Sequence, residues 1–243
     1  MKNKAVKTAA SWFFAVMIVL LTLVFLIDSN PYRYHAEDVT AFLTSDASVT
    51  VQTVRGGVLF DGPGETDALV FYPGAQVEET AYAPLLRTLA AAGVDCFAVK
   101  MPLGYAFLGV NRAKKIMKAY DYAHWYLAGH SLGGAMAAYF AAAHQQEISG
   151  LVLLGAYSAS DLSDAAFPVL YIYGSNDEVL TRKRLDKGLQ KSAPDTRVVE
   201  LDGGNHANFG AYGKQKGDGE ATMPREAQIA RTAEEILQMV TNQ

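Results

Sequence analysis

Residues 127–134 read Leu-Ala-Gly-His-Ser-Leu-Gly-Gly, with Gly129 and Gly133 two positions either side of Ser131. This Gly-x-Ser-x-Gly spacing has a mechanical basis. A serine forced onto a tight strand-to-helix turn takes up a strained backbone, and the turn closes only if the flanking residues are small. Its hydroxyl then stands free at the positive end of the following helix, placed to attack an acyl carbon.

A serine hydroxyl is a weak nucleophile at neutral pH unless a base takes its proton. Among the five histidines, His206 is the expected base. It follows Leu201-Asp202-Gly203-Gly204-Asn205, a glycine-containing loop after a strand, and open parallel sheets place their sites at that edge. His35 has no placed partner, His124 falls at the far end of the nucleophile strand, and His144 on the outer part of the next helix. His130 adjoins the serine and is expected to pack or hydrogen-bond locally. A carboxylate must orient the imidazole and stabilise its protonated form. Asp177 ends Tyr171-Ile172-Tyr173-Gly174-Ser175-Asn176-Asp177, just past another strand, so Ser131, Asp177 and His206 follow the order expected on an open α/β sheet. Asp161, in the preceding loop, is the rival for the acid. Glu178 adjoins Asp177, and Asp202 is too near His206 in sequence to be favoured.

The oxyanion formed in acyl transfer needs two hydrogen-bond donors. The amide of Leu132, directly after the nucleophile, is one. The other is expected in the loop after the first central strand, Phe71-Tyr72-Pro73-Gly74-Ala75-Gln76, where Gly74 permits the bend and Ala75 is the candidate donor.

These groups require a framework of alternating strands and helices. Ser48–Val54 and Val58–Phe60 form an opening hairpin, and Ala68–Tyr72, Gly93–Val99, Tyr126–Ala128, Gly150–Leu154, Val169–Tyr173 and Thr196–Leu201 read as strands. Glu79–Ala92, Asn111–Tyr122, Ala135–His144, Thr181–Ser192 and Arg225–Val240 read as helices, the last with Ile229, Ala233, Ile236, Leu237 and Val240 on one face. Continuous apolar strands between helices imply a mostly parallel sheet covered on both faces.

Together the residues 72–75, 81–85, 129–134 and 203–210 resemble the α/β-hydrolase superfamily over roughly residues 48–240, and more narrowly the small bacterial α/β-hydrolase fold 5 group. Proteins of that group are membrane-anchored or secreted, with substrates mostly unassigned. The resemblance implies an α/β-hydrolase fold. Pro73-Gly74 replaces the family's usual His-Gly, which leaves the second oxyanion donor open. Family caps are inserted between the strands ending at Leu154 and beginning at Val169, and fourteen residues there leave no room for a large one. Met101–Val110 is expected as an apolar wall on the acyl side, and Ala207–Met223 as a loop that packs beside the histidine and narrows the site.

The chain has 243 residues, half of them hydrophobic, and a net charge of −4. The acidic balance and the lack of a basic stripe argue against a nucleic-acid partner. Cys96 is the only cysteine, so no internal disulfide forms, and its apolar run marks it as a buried thiol. Lys2, Lys4 and Lys7 precede an uncharged, mostly apolar stretch from Thr8 to Ile27, ended by Asp28. Its length fits a bilayer span of about 20 residues. It therefore reads as an uncleaved signal-anchor (residues 1–30), then a linker (31–46) and a catalytic domain (47–243), single-pass in the cell membrane with that domain extracytoplasmic. Secretion after signal cleavage is the alternative. Without the three lysines, 18 basic residues face 25 acidic ones, so little draws the domain itself onto an anionic lipid surface.

The expected function is hydrolysis of carboxylic esters, with thioesters or amides as related substrates, through an acyl-enzyme on Ser131. The partners are then a small ester or acyl substrate and the membrane, with no metal or organic cofactor. An acyltransferase or peptidase would use the same acyl-enzyme. A catalytically silent binding or scaffold protein of the cell envelope is the reading from another class.

Overall fold

The computed structural model describes residues 2–28 and 34–242, with side chains of the first helix described over 12–26. Two units divide at Arg33 and Tyr34. The first holds one helix, α1 (Lys2–Asp28), whose described side chains are all exposed. It does not meet the expectation of a transmembrane signal-anchor. Among the described residues no helix is long and apolar enough to cross a membrane. The single-pass anchor, the membrane as a partner and the extracytoplasmic placement built on them are corrected accordingly. The side chains of Lys2, Lys4 and Lys7 and the boundary at 30–31 lie outside the described residues.

In the second unit, Tyr34 bridges to Val77, and a short helix α2 (Thr40–Leu43) follows, with Val39 and Val49 buried on either side. Of the segment expected as a linker, Tyr34, Ala36, Val39 and Leu43 pack against the core, and the other described residues up to Asp46 are exposed. The strands are β1 (Thr50–Val54), β2 (Gly57–Asp61), β3 (Asp67–Tyr72), β4 (Val94–Val99), β5 (His124–His130), β6 (Gly150–Leu154), β7 (Val169–Gly174) and β8 (Thr196–Leu201). They form one sheet in the order β1-β2-β4-β3-β5-β6-β7-β8. The first two are antiparallel to their neighbours, and β3 to β8 run parallel. Helices α3 (Ala83–Ala91), α4 (Arg112–Met117), α5 (Leu132–Ala143), α6 (Arg182–Leu189) and α7 (Arg225–Thr241) cover it.

Burial explains the strand patterns. β4 and β6 are buried at every residue, as strands covered on both faces must be, whereas the outer strands β1 and β8 are mostly exposed or half-buried. Successive residues serve opposite faces. Leu69 and Phe71 pack with Leu86 of α3 and Ile236 of α7, while Val70 and Tyr72 pack with Phe140 of α5 and Leu185 of α6. α4 ends at Met117, five residues before the expected end, and the expected Glu79 helix starts as a 3-10 turn before Pro84 opens α3. Cys96 is buried in β4, and burial pushes its thiol far up.

Candidate active site

β5 delivers Ser131 to the C-terminal edge of the parallel strands. Its φ of 53° and ψ of −123° hold it in a region that L residues rarely occupy, and its amide donates to the Leu154 carbonyl at 2.9 Å. The glycine spacing follows from contacts. A Cβ at Gly129 would lie 2.6 Å from the Gly133 carbonyl carbon, and one at Gly133 would overlap the Tyr72 and Pro73 carbonyls. α5 therefore begins directly against the loop after β3.

Asp177 and His206, brought in by the turns after β7 and β8, form a couple in which both side chains are 1% exposed. His206 Nδ1 stands 2.8 Å from Asp177 Oδ2. The other carboxylate oxygen, Oδ1, accepts from the amides of Val179 (2.9 Å) and Leu180 (2.7 Å). An ionised carboxylate only accepts, so the proton belongs on Nδ1 and Nε2 keeps its lone pair. Nε2 is buried and has no hydrogen-bond partner among the described residues. Across the edge, neither the Ala75 nor the Leu132 amide donates a hydrogen bond among the described residues. Gln76, at φ 59°, donates its amide to Gly104 at 2.7 Å and its side-chain Nε2 to the Leu103 carbonyl at 2.7 Å, which fixes the Ala75 turn.

The sequence model of the alpha/beta hydrolase family matches residues 68–230, two thirds of the chain, including Ser131, Asp177 and His206. This chain belongs to the alpha/beta hydrolase family. Solved structures agree on the fold. A predicted CIB-like hydrolase from Thermoplasma acidophilum is 13% identical with a TM-score of 0.60, covering 78% of this chain and 99% of its own. The carboxylesterase CesB from Bacillus subtilis is 10% identical with a TM-score of 0.59, covering 84% and 94%. A dienelactone hydrolase from Anabaena variabilis is 14% identical with a TM-score of 0.59, covering 79% and 99%. A search of curated protein sequences finds no match.

This alpha/beta hydrolase keeps the other candidate histidines and acids away from the couple, with one exception. His35 lies with Glu78, His124 with Asp67, and His144 with the Phe140 carbonyl and Lys114. Asp161 accepts from the Ser163 amide and hydroxyl, which lowers its pKa, and Glu178 and Asp202 are exposed. The exception is His130. Its ring lies 4.5 Å from the His206 ring, and Nδ1 stands 2.8 Å from the Tyr82 hydroxyl, which accepts from the Gly74 amide at 3.1 Å. Burial, with His206 beside it, holds His130 well below the ordinary imidazole range.

Sequence reading missed three supports of this candidate site. Gly155, at φ 50°, ends β6 under the couple, and a Cβ there would lie 2.8 Å from His206 Nδ1 and 3.1 Å from Asp177 Oδ2. Asp218 accepts from the His206 amide at 3.2 Å and the Ala207 amide at 2.8 Å, so the Ala207–Met223 loop holds the backbone of His206. Gln228, fully buried on α7, accepts from the Asn205 amide and donates to the Asn205 carbonyl. Glycine after a strand was the only signal in the sequence for the first; the other two depend on tertiary approach. Among the described residues no three His, Cys, Asp or Glu side chains gather as a metal site.

Proposed function

We propose that this protein is a serine hydrolase that cleaves carboxylic esters through an acyl-enzyme on Ser131. Ser131 Oγ attacks the ester carbonyl while His206 Nε2 takes its proton. Asp177 holds the ring in the required tautomer and stabilises the imidazolium. The amides of Ala75 and Leu132 receive the oxyanion. The imidazolium then protonates the departing alcohol, and water, deprotonated by the same nitrogen, releases the acid and regenerates the serine. The observation that carries this reading is the buried Asp177–His206 couple, whose free Nε2 faces no partner at the edge where Ser131 is held strained.

A fluorophosphonate probe on the full chain tests it. Ser131 is expected to be labelled, and Ser131→Ala to lose labelling and at least about a thousandfold in kcat/KM on 4-nitrophenyl esters while melting normally. Labelling elsewhere, or retained turnover in that variant, overturns the proposal.

A further inference from the structure

Among the described residues of the domain, arginine side chains are engaged with two exceptions. Arg87 pairs with Asp46, Arg182 with Glu200, Arg197 with Glu235, Arg225 with Glu37, Arg231 with Glu234, and Arg184 meets the Tyr157 hydroxyl. Arg55 and Arg112 have no side-chain hydrogen bond or ion pair among the described residues. Both line one cavity of about 1060 Å³. Lys115 and Lys118 line it too, and no Asp or Glu does.

Four cations gathered without a counter-charge repel one another, and in a chain of net charge −4 their grouping needs an explanation. Arginine is suited to carboxylate or phosphate, which it grips with parallel N–H bonds. Most of the remaining wall is apolar, with half-exposed Phe107 and Leu108 and buried Ile116, and Asn111 and Tyr120 add polar atoms. The volume is that of a small-molecule pocket.

Its position ties it to the site. Gly57 pairs with Val99, so the β1–β2 turn and the cavity sit at the C-terminal end of β4, the same edge as Ser131. β3 alone separates β4 from β5, which puts the cavity about 10 Å along the edge from the serine's strand. Pro102 lines the cavity while its neighbours Leu103 and Gly104 hold Gln76, next to Ala75.

We infer that this cavity binds the anionic end of an amphiphilic acyl substrate, a carboxylate or phosphate held by Arg55, Arg112, Lys115 and Lys118 with its hydrocarbon against Phe107 and Ile116. The word substrate rests on the hydrolase reading of Ser131; the binding does not.

Calorimetric titration of the full-length Ser131→Ala chain with octanoate, octyl phosphate and neutral octanamide tests the binding. At least one anion is expected to bind, and added Arg112→Gln or Lys115→Gln to weaken it about tenfold while octanamide is unaffected. The tighter of the two anions names the headgroup. With Ser131 present, Arg112→Gln is expected to raise KM about tenfold for the mono-4-nitrophenyl ester of octanedioic acid and to leave kcat unchanged. It should leave 4-nitrophenyl octanoate unaffected. Failure of both anions to bind, or equal binding by both cation variants and their parent, overturns the inference. Anion binding that depends on Arg112, in a chain that hydrolyses neither ester, leaves the cavity standing and overturns the role of Ser131.

Discussion

The two ends of the C-terminal edge of the sheet are built on opposite principles. Around β5, β7 and β8 the polar groups are buried and held: Asp177 accepts from His206 and two amides, and Asp218 and Gln228 fasten the chain on either side of His206. At the C-terminal end of β4, Arg55, Arg112, Lys115 and Lys118 line a cavity with no ion-pair partner among the described residues. The first arrangement suits chemistry, which needs groups fixed before the substrate arrives. The second suits recognition, where the missing partner is the ligand.

The comparison is most open to attack at the carboxylate. Asp177→Asn removes the acceptor that fixes the His206 tautomer, and kcat is expected to fall by a thousandfold or more, roughly, with little change in KM. A loss under tenfold in ester kinetics would mean the held end is not where the chemistry lies. Gly155→Ala tests the same couple from below. It adds a methyl 2.8 Å from His206 Nδ1 at a positive φ, so kcat should fall about a hundredfold. Gly93→Ala is its control, at φ 98° with nothing nearer than 3.9 Å. It should cost about 1 kcal/mol in denaturant unfolding and leave turnover unchanged. If both variants behave alike, backbone strain rather than crowding of the couple is responsible.

The smallest effect concerns His130. Its folded pKa lies below the ordinary 6.5, so below that pH the unfolded chain binds a proton that the folded chain refuses. The stability that depends on a neutral His130 is present above about pH 6.5 and is lost as pH falls toward the lowered value. His130→Gln should therefore show a smaller drop in Tm between pH 7 and pH 5. An unchanged drop would assign the acid sensitivity to other groups.

What was legible in the sequence is what short-range rules govern. Ser131 was readable because its glycines are needed within two residues, and β4 and β6 because strands covered on both faces are apolar throughout. The placing of Asp177 and His206 after β7 and β8 followed from chain order. His130 packs and hydrogen-bonds as expected, but its partners Tyr82 and His206 were not legible, because they lie 48 and 76 positions away in other loops. The segment Met101–Val110 was read as apolar because Phe107 and Leu108 dominate it, yet the cations facing them come from the β1–β2 turn and α4. The apolar run at the N-terminus satisfied a length rule, but no described helix meets the requirement for crossing a membrane.

The contact between α5 and the sheet has a consequence for how such a chain can change over generations. Glycine meets backbone there: Gly133 lies against the Tyr72 and Pro73 carbonyls, and Gly129 against Gly133. No side chain at that joint can be trimmed or enlarged in small steps, because every enlargement collides with main chain. Innovation is channelled into the loops, where one exchanged cation or one phenylalanine reshapes the cavity while Ser131 stays where it is.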